Sequence, residues 1–289
     1  MKIAAITMVY RDYWALSQWY AHYARQIGAD NLFIVAHGQD DRIKDICPRA
    51  EVITIARNDL TGFDKRRNAM LNAMQDELCS FYDWVIRTDA DELICLDPTL
   101  AGSFQELLSD RPSDAVFSLG MNIAERADDA PLTEDASVFG HRTQALLSGH
   151  YSKAWAVRNG CGLGLHGALV APDRAESFVY DLPKGVYLAH LKYANVEALA
   201  EANTHRREVA RSKATDLPGT AWRKADRIAE QFFTKVETYP ELDWNAAEAD
   251  AYALQSVDPK RDTRTGLVRG RFNSFKFKTT LPDWFGHTD

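Results

Sequence analysis

The sequence has few cysteines, and no two of them are spaced for a metal or redox site. Its four cysteines are widely separated and form no Cys-x-x-Cys pair: Cys47, Cys79, Cys95 and Cys161. This spacing excludes a zinc ribbon and a redox dithiol. Free thiols in a reducing cytoplasm are the simplest interpretation.

The sequence also lacks long apolar runs and an excess of positive charge. Nothing in its 289 residues approaches the roughly 20 apolar residues of a membrane helix. The apolar run at residues 3–9 is too short for a signal peptide, and fits a buried first strand better. The net charge of −7 argues against nucleic acid as the main partner, because phosphate backbones bind to basic surfaces. We therefore expect a cytoplasmic protein, and the charge does not exclude a nucleotide, which a few local cations and a metal can hold.

The first half of the chain contains alternating strand-like and helix-like segments. The predicted strands are residues 3–9, 31–36, 51–56 and 83–87, and the predicted helices are residues 13–26 and 65–81. This alternation predicts parallel strands with helices on both faces of the sheet. Ligands of such sheets bind beyond the carboxyl ends of the strands. We therefore predict the α/β class, with a Rossmann-like, mostly parallel sheet.

The pattern changes after residue 115. Strands are predicted at residues 116–121, 154–157 and 186–191, a polar loop at 124–138, and helices from Asn195 to about Lys213 and at 222–238. The sequence has no internal repeat and no low-complexity linker. We expect one catalytic domain over residues 1–200 and a helical C-terminal extension over residues 201–289.

The acidic motif Asp89-Ala90-Asp91 directly follows the strand predicted at 83–87. Residues i and i+2 of an extended chain project to the same side, so we expect the carboxylates of Asp89 and Asp91 to converge. Two such oxygen ligands suit Mg²⁺ or Mn²⁺, which would neutralise a leaving diphosphate. The alternative is an acidic loop in which Thr88 or Asp89 caps a following helix.

The stretch from Tyr82 to Pro98, which contains this motif, resembles the DxD region of bacterial family-2-like glycosyltransferases with a GT-A fold. The opening strand and the helix with the sequence Trp-Tyr-Ala-His-Tyr at residues 19–23 are also similar to those proteins. Residues 187–192, Tyr-Leu-Ala-His-Leu-Lys, resemble the segment that supplies a downstream histidine in them. The resemblance covers about residues 1–200.

The resemblance implies a nucleotide-diphosphate sugar donor, a divalent cation and inversion at the anomeric carbon. It makes Asp91 the direct metal ligand, Asp89 a contact of the ribose or of a metal-bound water, and His190 the third protein group at the metal. Lys192, on the same strand face as His190, would meet phosphate as a point charge. A single histidine in a strand is as often structural, and that alternative remains open.

Four further residues are candidates for nucleotide binding. Asp40 ends the second strand and would accept the uracil N3–H, unless it only forms a turn. Val9 and Arg11 end the first strand and would line the same pocket. Arg67 lies at the start of the predicted helix 65–81, where a cation opposes the helix dipole. In the family pattern such an arginine faces the diphosphate.

Arg142, Lys153 and His166 lie in a block that resembles the acceptor side of these enzymes. Lys153 would bind phosphate or acceptor, and His166 would border the reacting hydroxyl. An inverting transfer needs a base within hydrogen-bond reach of that hydroxyl. Glu134-Asp135 and His166 are the candidates, and we favour His166 because the two acids lie in a loop rich in Pro and Asp.

The last twenty residues mix aromatic and basic side chains between Arg269 and Phe285. This tail would touch a lipid-linked acceptor as a peripheral contact at the inner membrane face. Alternatively, it packs on the domain or on a second subunit of a homo-oligomer.

Together these features predict a metal-dependent glycosyltransferase of polysaccharide biosynthesis. It would move a sugar from an NDP-sugar, with UDP favoured, to a glycan or a lipid-linked acceptor, using Mn²⁺ or Mg²⁺. The alternative from another class is a sugar-nucleotide-binding or scaffold protein that keeps the fold without transfer activity. A sugar nucleotidyltransferase is disfavoured, because residues 8–12 contain no glycine for a phosphate-binding loop.

Overall fold

The computed structural model describes residues 1–133, 136–211, 215–217 and 220–287. In chain order the strands are β1 Ile3–Val9, β2 Leu32–His37, β3 Glu51–Ile55, β4 Trp84–Arg87, β5 Glu92–Leu96, β6 Ala115–Phe117, β7 Leu119–Ala124, β8 Gln144–Leu147, β9 Ala154–Val157, β10 Gly162–Gly164, β11 Gly167–Leu169, β12 Val186–Tyr193, β13 Glu241–Leu242, β14 Lys260–Asp262, β15 Leu267–Arg269 and β16 Lys278–Thr280.

The α-helices are α1 Tyr13–Ile27, α2 Arg42–Ile46, α3 Phe63–Leu78, α4 Phe104–Leu108, α5 Val196–Arg211, α6 Thr220–Arg223, α7 Ala225–Thr238 and α8 Trp244–Gln255. Short 3-10 turns occupy Ala29–Asn31, Pro172–Arg174 and Asp283–His287. No helix within the described ranges is both long enough and apolar enough to cross a membrane.

The first sheet has the strand order β3-β2-β1-β4-β9-β6. Strands β3, β2, β1 and β4 are parallel, and β9 is antiparallel to both β4 and β6. Every residue of β1 is buried, as expected of a central strand covered on both faces. The predicted α/β class is confirmed, and the strands predicted in the first half lie where the alternation indicated.

Helix α1 connects the first two strands and buries an aromatic stripe. Leu16, Trp19 and Tyr23 are fully buried at helical spacing, and the helix ends at Gly28, whose φ of 85° suits glycine. Burial of each large side chain contributes about 2 kcal/mol of transfer free energy. The Trp19 indole also donates to Thr88 Oγ1 at 2.8 Å, which fixes the residue before the acidic motif.

A second six-stranded sheet has the order β13-β16-β8-β7-β12-β5. Strand β5 was not predicted, because its short apolar run directly follows the acidic motif and gives no signal for a new strand. The residues predicted as one strand at 116–121 form parts of two strands, β6 and β7, which separate at Ser118 and enter different sheets. The acidic motif therefore links the first sheet, through β4, to the second, through β5.

A four-stranded sheet, β10-β11-β15-β14, completes the fold. Its edge strand β10 is bound by side chains of α3 instead of by another strand. The amide of Asn72 donates to Leu163 O at 3.0 Å and accepts from Leu163 N at 2.9 Å. Gln75, one turn later, donates to Cys161 O at 3.0 Å, and Arg87 of β4 donates to Leu163 O at 2.7 Å. The β10–β11 hairpin is therefore tied to both α3 and β4.

The chain beyond residue 200 begins with helices, in line with the predicted helical extension. The end of predicted helix 195–213 at Lys213 lies outside the described residues. The final part also supplies strands, because β15 pairs with β11 and β16 pairs with β8. Through β15 and β16, residues 260–280 are therefore integral to two sheets that also contain strands from residues 144–169.

The aromatic tail packs largely on the domain. Phe275 and Phe285 are 7% and 1% exposed and belong to the main hydrophobic core, against which Phe277 and Trp284 also pack. Phe272 differs, since it remains 47% exposed. The buried rings are thus engaged within the fold and are not available as a membrane anchor.

Candidate functional site

The acidic motif forms a turn between the two six-stranded sheets. Glu92 N donates to the carbonyl of Asp89 at 3.0 Å, and Asp89 N donates to the carboxylate of Glu92 at 3.0 Å. The expected convergence of Asp89 and Asp91 assumed an extended chain. Because the chain turns here to enter β5, the two carboxylates face different partners. Asp89 meets Arg67 and Lys153, whereas Asp91 meets His190.

Four residues form what we name the charged cluster: Arg67, Asp89, Glu92 and Lys153. Arg67 forms an ion pair with Asp89, and Lys153 Nζ lies 2.7 Å from Glu92 Oε1 and 3.8 Å from Asp89 Oδ2. Burial opposes ionisation of Asp89, but Arg67 and Lys153 outweigh it and lower its pKa. Glu92 is 1% exposed, and its burial raises its pKa despite Lys153. With all four ionised, the two cations and two carboxylates cancel.

Asp91 and His190 form a second pair beside this cluster. Their Oδ2 and Nε2 atoms lie 3.3 Å apart, and the backbone N of Leu191 donates to Asp91 O at 2.7 Å. On its other side, His190 Nδ1 lies 2.8 Å from Asn122 Oδ1. An Nδ1–H donated to this oxygen fixes the tautomer and directs Nε2 toward Asp91. Asn122 was missed from the sequence, since nothing distinguishes it in its strand.

The ring of Tyr151 stacks on His190, with centroids 3.8 Å apart and planes 22° apart. Gly120 of β7 allows this approach. A Cβ built on Gly120 would lie 2.1 Å from the carbonyl carbon of Tyr151 and 2.4 Å from the backbone N of Ser152. Any larger residue would push the Tyr151 segment away. Gly120 N also donates a hydrogen bond to Ser152 Oγ at 2.9 Å. The position of Tyr151 is therefore set by the backbone of the adjacent strand.

The pair Asp91–His190 fits two ligands of one divalent cation. Adjacent ligands of an octahedral Mg²⁺ at about 2.1 Å lie about 3 Å apart, close to the observed 3.3 Å. Within the described ranges, no three His, Cys, Asp or Glu side chains converge as a ready metal cluster. A cation here would thus have two protein ligands, one carboxylate oxygen and one imidazole nitrogen, with phosphate oxygens and water completing its coordination.

A small pocket beside Asp91 contains further charged groups, including Asp12, Lys192 and Arg206. Burial and the nearby Asp91 raise the pKa of Asp12 to about 7. Burial and the nearby Arg206 lower the pKa of Lys192 to about 8. The structure thus brings the predicted Lys192 and Asp12, which follows Arg11 at the end of the first strand, close to Asp91, and it adds Arg206, which we did not identify from the sequence. Arg206 comes from α5, so the chain beyond residue 200 reaches the site.

The predicted nucleotide residues Val9 and Arg11 flank Tyr10 at the end of β1. Val9 is 3% exposed, whereas Arg11 is exposed and has a φ of 49°. The guanidinium carbon of Arg57 lies over the ring of Tyr10, 3.4 Å from the ring centroid. The ring centroids of Tyr10 and of His205 in α5 are 5.5 Å apart. Planar and cationic groups therefore gather at the carboxyl end of the parallel strands, where this class of sheet binds ligands.

Two other residues named from the sequence have partners within the fold. Asp40 accepts a hydrogen bond from the Tyr13 hydroxyl at 2.8 Å, at the start of α1. Arg142 is fully buried, donates to Ala194 O at 2.7 Å, and lies 3.0 Å from the carboxylate of Glu125. Arg142 therefore fastens the polar loop to the end of β12, which is a structural role. Within the described part of the chain, Arg142 forms no hydrogen bond or ion pair with the predicted site residues Lys153 and His166.

The β10–β11 hairpin turns through two residues, Leu165 and His166. Their φ values of 47° and 64° are positive, a conformation that costs non-glycine residues roughly 1–2 kcal/mol each. Such two-residue turns usually carry Asn-Gly. The turn leaves Leu165 76% exposed and His166 half-buried. The predicted base thus occupies a strained position, which is typical of functional sites.

Four rings form what we name the aromatic wall: His150, Tyr151, His166 and Phe272. The ring of His150 lies 4.2 Å from that of His166 and 4.8 Å from that of Phe272, and Tyr151 joins the wall to His190. Burial, Lys153 and His150 lower the pKa of His166 to about 3, so its ring is neutral at pH 7. The competing base candidates Glu134 and Asp135 lie outside the described residues.

Comparison with known proteins gives only remote likenesses. No protein-family model and no curated protein matches the chain. A solved 4-diphosphocytidyl-2C-methyl-D-erythritol synthase is 14% identical, with 64% of this chain and 89% of that chain covered and a TM-score of 0.35. A mannose-1-phosphate geranyltransferase from Thermus thermophilus is 10% identical, over 98% and 76% of the two chains, with a TM-score of 0.30. A CMP:2-keto-3-deoxy-manno-octonic acid synthetase in complex with CTP is 13% identical, over 81% and 86%, with a TM-score of 0.26.

Proposed function

We propose that this chain is a metal-dependent glycosyltransferase, which transfers a sugar from an NDP-sugar to a glycan or lipid-linked acceptor. UDP is the nucleotide we favour. The observation that carries the proposal is the Asp91–His190 pair, with Oδ2 and Nε2 3.3 Å apart, directly beside the charged cluster. These groups lie at the carboxyl end of β4, where α/β sheets bind their ligands.

The charge balance of the cluster supports a requirement for a cation. Arg67 and Lys153 are already paired with Asp89 and Glu92. A diphosphate would therefore meet a cluster with no net positive charge, and its own negative charges would be uncompensated at a partly buried position. A divalent cation held by Asp91 and His190 would restore the balance and neutralise the charge that develops on the leaving diphosphate.

In the proposed transfer, each of several residues of the chain would have a separate role. Asn122 orients His190, and Arg67 and Lys153 orient the diphosphate through charge-assisted hydrogen bonds. His166, whose ring is neutral, would accept the proton of the attacking hydroxyl. Its low pKa makes it a weak base without substrate. The negative charge of a bound donor next to Lys153 would raise that pKa toward the range in which proton transfer is efficient.

Calorimetry with UDP, GDP and TDP, each with and without Mn²⁺, tests the proposal. We expect binding of one nucleotide that depends on Mn²⁺, and Asp91→Asn should weaken it by about 100-fold. Asp30→Asn, which removes an exposed carboxylate paired with Arg49, is the matched control and should bind as the wild type does. If none of the three nucleotides shows metal-dependent binding, the proposal is wrong.

The alternative of a sugar-nucleotide-binding or scaffold protein predicts the same binding without turnover. Hydrolysis or transfer of UDP-glucose, UDP-galactose or UDP-N-acetylglucosamine separates the two. Release of UDP above the rate of the Asp91→Asn variant supports the enzyme. Tight binding of a donor with no release of UDP, in the presence of a broad set of acceptors, supports the scaffold.

A further inference from the structure

The aromatic wall connects the metal-ligand pair with the protein surface. At its inner end Tyr151 stacks on His190, and at its outer end Phe272 is 47% exposed. His150, which is exposed, lies between His166 and Phe272. A molecule lying against the outer rings would therefore be next to His166 and one residue layer away from the proposed metal.

Two side chains of this surface remain exposed where the fold would be expected to hide them. Leu165 is 76% exposed at the tip of the hairpin, and Phe272 is the exposed ring of an otherwise buried tail. Neither exposure helps folding. Leu165 also requires a positive φ, which leucine adopts only at a cost. An apolar side chain exposed in a strained turn, with an exposed aromatic ring and a polar site beside it, indicates a ligand surface.

We propose that the exposed faces of His150, His166 and Phe272, together with Leu165, bind a sugar ring of the acceptor. The inference rests on the proposed function and specifies the acceptor as a saccharide. A pyranose ring has an apolar face of C–H groups, which packs against aromatic rings, and a rim of hydroxyls. Small-molecule sites commonly combine such aromatic surface with a few convergent polar groups.

Polar groups at this surface favour a sugar over an acyl chain. Arg269 lies 3.9 Å from the centroid of Phe272, and Lys153 is close enough to His166 to lower its pKa. Arg269 donates one hydrogen bond to Gly270 O at 3.2 Å, and an acyl chain would remove its other N–H groups from water without pairing them, at a cost of about 1–3 kcal/mol for each unsatisfied group. Sugar hydroxyls would pair with them.

The test measures binding of methyl glycosides by saturation-transfer NMR on the full chain, in the presence of UDP and diamagnetic Mg²⁺. The panel comprises the methyl glycosides of glucose, galactose, mannose, rhamnose and N-acetylglucosamine. We expect at least one to bind. Phe272→Ala should weaken it by about tenfold, whereas Phe272→Trp should keep it. Phe272→Leu, which keeps an apolar side chain but no ring, should behave as Phe272→Ala does.

Phe81→Ala is the matched control, since Phe81 is also an exposed phenylalanine, at 66%. It lies on a different surface of the protein, beside Phe33 and Tyr82. This variant should bind glycosides as the wild type does. Dodecyl phosphate, measured in the same way, serves as the acyl-chain probe. The inference would be overturned by full binding to Phe272→Leu, by a preference for dodecyl phosphate over every glycoside, or by the absence of glycoside binding. Calorimetry with UDP and Mn²⁺ on the same variants separates this failure from failure of the proposed function, because Phe272→Ala should leave nucleotide binding intact.

Discussion

The charged cluster and the aromatic wall lie side by side but are built in opposite ways. In the charged cluster each ionised group has an oppositely charged partner, and Glu92 and Lys153 are held 2.7 Å apart in the interior. In the aromatic wall, the backbone of His166 is strained, and two apolar side chains are exposed. The cluster is therefore stable without a ligand, whereas the wall has interactions left to make. This difference predicts that substitutions in the cluster have the larger effect on stability, and that those in the wall have the larger effect on binding.

The largest effect should come from Lys153→Met. This change removes the cation that faces Glu92, which is 1% exposed, and leaves a buried carboxylate without its partner. Removing one member of a buried pair costs about 3–5 kcal/mol. Urea unfolding at pH 7 should show a loss of this size in the free energy of unfolding.

The double variant Lys153→Met/Glu92→Gln is the control for this prediction. It removes both charges, and replacing a buried pair by neutral groups is often nearly neutral. It should recover most of the lost stability. Equal destabilisation of the single and double variants would mean that the Glu92 carboxylate is not the source of the loss, and the contrast with the aromatic wall would weaken.

A smaller effect should appear as a pH dependence of His166. Its folded-state pKa of about 3 lies below the roughly 6.5 of an unfolded histidine. As the pH falls below 6.5 the unfolded chain takes up this proton while the folded chain does not, so stability is lost on acidification. The loss relative to His166→Gln should be about 3 kcal/mol between pH 7.5 and 4.5.

Urea unfolding of both proteins at the two pH values measures this difference. NMR titration gives an independent readout, since the His166 ring signals should not shift between pH 5 and 8. A titration step within that range would show that burial and Lys153 together do not keep this ring neutral, and the proposed effect of the cluster on the wall would lose its support.

The smallest effect should come from Leu165→Asn. Asparagine adopts a positive φ more readily than leucine, so the strained turn should relax. We expect a gain of about 0.5–1 kcal/mol in the free energy of unfolding, together with weaker glycoside binding. Leu165→Val, whose β-branch suits this conformation even less, should be destabilised instead. Thermal unfolding of the three proteins in parallel checks the order.

Much of the fold could be predicted because its signals are local. Strand β1 is an uninterrupted apolar run, and α1 carries Leu16, Trp19 and Tyr23 at helical spacing before Gly28. Each pattern depends on residues that are close in sequence. The strands at the end of the chain gave no comparable signal. Lys278–Thr280, for example, is a strand only because β8 lies beside it.

The site was predictable in part for the same reason. Asp89 and Asp91 are conspicuous at the end of a strand, and His190 and Lys192 were reached through a family resemblance. Asp89 faces Arg67 instead of converging with Asp91 because the chain turns into β5. No residue near this turn predicts it from the sequence. Asn122 reaches His190 because β7 pairs with β12. Phe272 reaches His166 because the C-terminal tail, over 100 residues further along the chain, folds back against the hairpin. Such contacts are set by topology.

The amide side chains along α3 have a consequence for how the protein behaves in a crowded solution. Strand β10 lies at the edge of its sheet, and such edges invite a strand from another molecule. Asn72 and Gln75 already occupy the backbone groups of Leu163 and Cys161 that an incoming strand would use. The helix therefore acts as a guard against edge-to-edge aggregation at a hairpin that must keep its tip exposed.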